Sequence, residues 1–388
     1  MSQLKVNAIR HTGASSDAVT LATDGTCTAK ITNNLSNRNL IINGSCIVAQ
    51  RGVSSTSTGI QTVDRFYTSA TGLTLTTTQH DLTSSDTGPW EKGFKKSYHI
   101  QNTSVGSNNA TDVAGIRYIT EAQDIVNSGW LHTSTSSYIT FSFWVKSSLA
   151  GTYYANVRSK DSTNKVYVFP FTVAADTWLK VEKSIPGASN IVINNDNGSG
   201  LDINIYTFRG TDGTDSGFTI NSWASFNASS RTPDFAQNFN TTSNATFEIT
   251  GVQLEVGEHA TDFEHRSYAD ELRRCKRYYQ QYPEKPTADN YTTLVSSCVA
   301  CHSTQEGYWA VDFRPSLRNP PSFSHTGNFR ANGSGVASVG LTTMGIYHNG
   351  TSSTFMYARA SSGFVAGVPV IISTNNDNTA FIKFDAEL

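Results

Sequence analysis

Cys298-Val299-Ala300-Cys301-His302 has the C-x-x-C-H spacing that attaches a c-type haem, two thiols for the porphyrin and a histidine for the iron. That chemistry needs both sulfurs on one side of the backbone. Residues 292–301 instead carry the pattern of a strand, in which positions three apart face opposite ways and lie about 10 Å from each other. Such a pair cannot share a haem, a zinc ion or a disulfide. No second C-x-x-C completes a zinc site, and the five cysteines, Cys27, Cys46, Cys275, Cys298 and Cys301, are too few and too scattered for a disulfide framework. The run is expected to be structural: two small strand residues and a polar histidine.

Carboxylates suggest a second chemistry. Glycoside cleavage uses two of them flanking the bond, and Glu255, Glu258, Asp262 and Glu264 lie close in sequence, with Asp212 and Asp215 in a glycine-rich loop. Proximity along the chain does not set distance across a sheet, so these are expected to be solvated strand ends and loops. The loop Asn194-Asn195-Asp196-Asn197-Gly198-Ser199-Gly200 resembles a calcium loop, but Ile193 and Asn204 stand where Asp and Glu are required. An Asn/Gly turn is the simpler reading. The patterns G-x-x-x-x-G-K-[ST], H-E-x-x-H and G-x-S-x-G are missing, and nothing calls for a cofactor.

What remains is a chain of hydroxyls, amides and aromatic rings, the groups that bind sugars by stacking on a ring face and hydrogen-bonding to hydroxyls. Many rings are core: Trp309 shares strand parity with Val311 and Phe313, as Phe141 does with Phe143. Tyr308 has the opposite parity and is expected to face outward. Tyr347, leading into the turn at His348-Asn349-Gly350, and Tyr357 on the return strand are the other stacking candidates. His348 and Asn349 could hydrogen-bond sugar hydroxyls.

Strands must hold these residues. Among 388 residues there are 46 Ser, 48 Thr and 30 Asn against only 15% charged residues, a balance that favours strands and turns. The apolar fraction, 37% with 20 Phe, 16 Tyr and 6 Trp, is enough to fill cores. With 29 basic and 31 acidic residues the net charge is −2, which offers no general attraction for nucleic acid or an anionic membrane. No run approaches the ~18 apolar residues of a membrane span, so no membrane insertion is expected. The first residues, Met1-Ser2-Gln3-Leu4-Lys5-Val6, lack the apolar stretch of a leader, and the expectation is synthesis in a cytoplasm without cleaved export.

Four segments follow, and the fold class is all-β. Residues 1–38 hold two strand-like pieces, 4–9 and 19–31, the second broken at Asp24-Gly25. They carry too few apolar side chains to bury a core, so this segment must dock on a partner or intertwine with copies of itself. Residues 39–266 show repeated period-2 runs, at 138–146, 152–158, 165–173, 178–185, 191–193, 201–208 and 246–256, which indicate an antiparallel sandwich of jelly-roll type. Residues 267–286 read as a short helix and linker: Ser267 caps, Asp270 and Glu271 occupy the first turn, and Leu272, Cys275, Tyr279 and Tyr282 follow at helical spacing before Pro283. Residues 287–388 form a second β-sandwich, with runs at 292–301, 307–313, 344–347, 355–359, 368–372 and 380–384.

Several motifs carry a resemblance. They are Leu40-Ile41-Ile42-Asn43-Gly44-Ser45, Val48-Ala49-Gln50-Arg51-Gly52, Asp64-Arg65-Phe66, Phe141-Ser142-Phe143-Trp144-Val145-Lys146-Ser147 and Ala174-Ala175-Asp176-Thr177-Trp178. Further on come Ile249-Thr250-Gly251-Val252-Gln253-Leu254-Glu255-Val256-Gly257, Phe263-Glu264-His265-Arg266-Ser267-Tyr268, Glu271-Leu272, Cys275-Lys276-Arg277-Tyr278-Tyr279 and Phe384-Asp385-Ala386-Glu387-Leu388. Together with Leu4-Lys5-Val6-Asn7-Ala8-Ile9, the chain resembles the tail-fibre and receptor-binding proteins of tailed bacteriophages, marine ones especially. The resemblance implies a non-enzymatic virion component, a homotrimer held to a tail adaptor or nozzle protein by its N-terminus. Its modules, similar to carbohydrate-binding domains, would face a host glycan or lipopolysaccharide. It transfers no binding residues. Recognition is then expected in residues 287–388, farthest from the anchor, at Tyr308, Tyr347, His348, Asn349 and Tyr357. An enzymatic tailspike that depolymerises polysaccharide and a stand-alone lectin-like module are the alternatives.

Overall fold

Strict alternation explains the middle of the chain most simply. Ile139, Phe141, Phe143 and Val145 all lie at 1% exposure or less, on the inner face of one strand. The computed structural model describes residues 6–388 apart from 11, 16, 24, 26, 30–36, 162–163, 285–288, 295–298 and 334–335. It is all-β. Near its start, β1 (Ala8–Ile9), β2 (Val19–Leu21) and β3 (Cys27–Ala29) form an antiparallel meander within one chain. Ile9 and Leu21 remain 55% and 41% exposed, so β1 and β2 bury little of their apolar surface.

The first sandwich comprises β4 (Ser54–Ser55), β5 (Tyr67–Thr71), β6 (Thr74–Asp81), β7 (Lys96–Ser104), β8 (Val113–Glu121), β9 (Tyr138–Ser147), β10 (Gly151–Ser159), β11 (Lys165–Val173), β12 (Leu179–Pro186), β13 (Ser199–Arg209), β14 (Trp223–Ser225) and β15 (Thr246–Val256). One sheet has the order β14-β11-β10-β13-β8-β5, the other β12-β9-β15-β7-β6-β4. Phe141 meets Phe169, and Phe143 meets Phe171, edge to face across the gap at centroid distances of 6.4 and 5.5 Å. Such rings lock the two sheets in one register. The expected strand at 191–193 is a loop instead: Ile191 and Ile193 are buried against the core, and their apolar spacing reports packing rather than pairing. A short helix, α1 (Ala122–Val126), follows β8.

The segment expected as one helix up to Tyr282 divides. Helix α2 (Tyr268–Cys275) is capped by Ser267, whose Oγ accepts from Asp270 N at 3.2 Å, but it stops at Cys275. Residues Tyr279–Tyr282 are a strand, β16, that pairs with β25 (Phe381–Asp385). Between them run β17 (Val299–Cys301), β18 (Glu306–Asp312), β19 (Ser322–Thr326), β20 (Phe329–Gly333), β21 (Val336–Gly340), β22 (Thr343–Asn349), β23 (Ser353–Arg359) and β24 (Pro369–Thr374). Pairing partners about 100 residues away override the helical spacing of the tyrosines. The second sandwich sets the sheet β16-β25-β19 against the sheet β21-β20-β24-β17-β18-β23-β22, around a core that includes Trp309, Phe313, Met356 and Phe384.

A buried charge network joins the two sandwiches. Arg65, at 2% exposure, pairs with Glu387, donates through Nη2 to Ile119 O at 2.6 Å, and lies 3.4 Å over the Tyr278 ring. Arg51 bridges Asp385 and Glu387 at 2.9 and 3.3 Å and stacks 3.7 Å over Tyr279. Arg277 holds the fully buried Glu121 by two bonds of 2.7 and 2.8 Å. Arg318 of the second sandwich donates to Ala386 O and Glu387 O at 3.0 and 3.1 Å, while Asn197 of the first donates to Arg318 O at 2.7 Å. Burial works against the Arg51 and Arg65 charges, but Glu387, with Asp64 and Asp385 at Arg51, outweighs it and holds both above the usual arginine pKa. Beneath, Ile42, Val48, Cys275 and Tyr278 form an apolar cluster joined by Leu272 and Leu388. Most motifs that carry the phage resemblance therefore converge on this junction.

A second ionic lock predicts acid behaviour. Asp86 accepts from Thr83 N, Lys146 Nζ and Trp178 Nε1 at 3.0, 2.9 and 3.0 Å, tying the loop before β7 to β9 and the start of β12. Burial would raise its pKa, but these donors prevail and hold it at about 2. A carboxyl depressed in the folded state stabilises above its unfolded pKa of about 3.9, and that stability is lost as pH falls through the folded value. The full shift corresponds to about 2.6 kcal/mol at neutral pH, and solvent screening reduces it to on the order of 1–2 kcal/mol. Urea denaturation from pH 5 to 2 should show this loss, and Asp86→Asn should remove that part of the pH dependence.

Candidate functional site

Strand parity decides which rings reach solvent. Along β18, Trp309 and Val311 are buried at 3% while Tyr308 and Ala310 face the other way. Along β23, Met356 and Ala358 are fully buried, so Phe355 and Tyr357 share the outer face. Register then places Tyr308 opposite Tyr357, and Tyr357 opposite Gly345 of β22. A bulge between Ile346 and His348 sets His348 opposite Phe355 and leaves Tyr347 standing out at 59% exposure.

Three strands thus assemble one aromatic surface. Tyr308 stacks on Phe355 with centroids 5.5 Å apart and planes within 18°, and Tyr347 meets Tyr308 edge-on at 5.8 Å. His348 is T-shaped to Tyr347 at 4.7 Å and stacked on Phe355 at 6.3 Å. His302 closes one side, 5.7 Å from Tyr308. Phe355 is itself 38% exposed. Below the rings, Glu306 binds Arg359 at 2.9 Å, and that guanidinium lies 4.8 Å from the Tyr357 ring centroid. Loss of solvent and the Glu306 carboxylate raise the Tyr308 phenol pKa, so Tyr308 remains a neutral donor.

The sequence candidates fare unequally. Tyr308, Tyr347 and His348 come together. Tyr357 lies flat across Gly345, where a Cβ would stand 2.6 Å from its hydroxyl oxygen; its ring covers the glycine gap and roots the surface. Asn349 turns away: its Nδ2 donates to Pro321 O at 2.7 Å, so that nitrogen holds a loop of its own chain. Phe355 and His302 were missed. Phe355 could have been found from its parity with Tyr357, whereas His302 was set aside with the C-x-x-C-H run.

That run is resolved in part. Cys301 is buried beside Val299 and burial raises its thiol pKa, while Cys298 lies outside the described residues, as do other positions of the expected 292–301 strand. The carboxylates at the end of β15 and beyond it hold the chain itself. Glu255 is fully buried, not solvated as expected, and accepts from Gln253 Nε2, Thr261 N and Thr261 Oγ1 at 2.9, 2.8 and 2.6 Å. Glu264 accepts from the amides of Asn37 and Asn39 at 2.6 and 2.8 Å. The loop at 194–200 reaches Arg318 through Asn197, as described above.

No protein-family model matches the sequence, and a search of curated proteins finds no match. Among solved structures, the neighbours include carbohydrate-binding modules and a phage tailspike domain. The enzymatically active domain of tailspike protein 4 of bacteriophage CBA120 is similar at 12% identity, covering 56% of this chain and 21% of that chain, with a TM-score of 0.30. The CBM22-1 xylan-binding domain from Paenibacillus barcinonensis Xyn10C is similar at 12% identity over 55% of this chain and 99% of its own, TM-score 0.26. The tandem CBM22-1-CBM22-2 domain of the same protein covers 87% of this chain and 97% of its own at 11% identity, TM-score 0.27.

Proposed function

We propose that the chain is a non-enzymatic tail-fibre protein of a tailed bacteriophage, a homotrimer joined to the tail through its first residues. It attaches the virion to a host glycan or lipopolysaccharide. The observation that carries the binding reading is the solvent-facing surface of Tyr308, Tyr347, His348 and Phe355, rings that offer both flat apolar faces and polar edges. Monomeric proteins rarely leave such a group uncovered without use. A single stacking site binds weakly, and three copies on one rigid body raise avidity through effective concentration.

The virion reading rests on the motif resemblance. The buried junction fits it physically, because a fibre outside a cell needs modules that do not part, and here packing and ion pairs join them. Incubating the protein with host polysaccharide separates a binder from a depolymerase. A binder sediments with the polymer and leaves its chain length unchanged, whereas shortened chains would contradict the non-enzymatic reading. Sedimentation equilibrium at three chain masses is the expected assembly, and a monomer would contradict the trimer.

A further inference from the structure

We propose that a cleft on the outer face of the β14-β11-β10-β13-β8-β5 sheet is a second binding site, one that takes an acidic saccharide: a pyranose chain carrying carboxylate or sulfate groups. Its volume is about 620 Å³, within the range of small-ligand sites. The floor is built from cross-strand pairs. Arg117 of β8 lies opposite Asn204 of β13, which lies opposite Asn156 of β10; Arg158 of β10 lies opposite Asp202 of β13.

Charge defines the ligand. Among the described residues Asp202 is the single carboxylate lining the cleft, and Arg117 engages both its oxygens at 2.8 and 2.9 Å. Asn204 donates to Asp202 and to Asn156, each at 3.1 Å, so the floor is satisfied. Three further arginines line the same space, and none has an ion-pair partner among the described residues. Among the described residues, Arg158 donates to the Asn164 side chain at 3.3 and 3.1 Å, and Arg231 to Ala228 O at 3.1 Å. Arg209 has a buried Nε with no hydrogen-bond partner. Burial lowers the pKa values of Arg158 and Arg209; the neighbouring guanidinia add to this, and at Arg158 the pull of Asp202 does not offset it. Guanidinium forks match carboxylate and sulfate oxygens in pairs.

Rings and amides supply the rest. Phe226 carries Arg158 and Arg231 at 3.5 and 5.1 Å from its centroid, holding both heads against one ring. Tyr206 lies beneath Arg209 at 5.6 Å, and Tyr67 stands at the rim, 36% exposed. Anion-binding heads beside ring faces and hydroxyl-binding amides suit a charged sugar better than a bare anion. This cleft is on the opposite sandwich from the aromatic surface and does not depend on it.

Isothermal titration of the full chain with oligogalacturonate, sulfated dextran oligomers and neutral dextran oligomers tests the proposal. One or both anionic series should bind, their affinity falling with salt, and the neutral series should not. Arg158→Gln and Arg231→Glu should each weaken anionic binding at least tenfold, while Tyr308→Ala leaves it unchanged. Arg231 sits on a surface loop, so Arg231→Glu keeps its melting temperature and remains decisive if Arg158→Gln fails to fold. Equal binding of neutral dextran, no binding of either anionic series, unchanged binding by Arg231→Glu, or competition by inorganic sulfate at the oligomer's own concentration would overturn it.

Discussion

Arg65→Ala should lower the free energy of unfolding by about 3–5 kcal/mol, the typical cost of removing one partner of a buried ion pair. Four observations set that size. Arg65 is 2% exposed, pairs with Glu387, donates to the Ile119 carbonyl and lies on the Tyr278 ring. Removing it leaves Glu387 short of a counterion and the Ile119 carbonyl without its donor. The backbone of Arg65 also holds a positive φ of 75°, a strained conformation that persists only where surroundings over-determine it. Arg65→Lys should restore only part of the loss, because one ammonium cannot reproduce a planar fork over an aromatic ring. Urea denaturation followed by tryptophan fluorescence measures both. A change below 1 kcal/mol for Arg65→Ala would mean the junction is not held by this network.

Removing residues 1–36 should have the opposite profile: no loss of stability, and loss of the protein from the particle. The meander β1 to β3 leaves Ile9 and Leu21 exposed, so its removal uncovers little core. The cut is placed before Asn37 because Asn37 and Arg38 are tied to Glu264 and Thr261 of the first sandwich. The melting temperature should stay within about 2 °C, less than the shift that ~1 kcal/mol would produce in a domain of this size. Immunoblots of purified particles should then lack the chain. Normal incorporation would place the anchor elsewhere.

How much of this was legible in the sequence depended on whether a pattern was local. β9 and β15 announce themselves because apolar and polar side chains alternate along most of their length, and β11 because it is a nearly continuous apolar run, although both faces of all three are largely buried in the fold. β6, with Thr at 74, 76, 77 and 78, does not, since threonine carries no sign of which face is inward. The tyrosines at 279 and 282 matched helical spacing, and only a strand about 100 residues away revealed them as β16. The junction was invisible for the same reason: Arg65 and Glu387 are 322 residues apart. In the aromatic surface, parity gave Tyr308 correctly, but bringing Tyr347 and His348 beside it required the bulge in β22 and the register with β23. The arginine cleft draws its residues from four strands and two loops, and no stretch of sequence contains it.

The central claim is that the Tyr308 and Tyr347 surface binds host carbohydrate. Its most direct test is equilibrium binding of the full chain to purified host surface polysaccharide, comparing wild type with Tyr308→Ala, Tyr347→Ala and the double variant, each checked for an unchanged melting temperature. Each lost ring should cost about 0.5–1.5 kcal/mol per site, a roughly 2- to 12-fold weaker site. In the proposed trimer three linked sites would multiply that loss in avidity, so the double variant should show no measurable attachment. Binding of the double variant indistinguishable from wild type would contradict the claim.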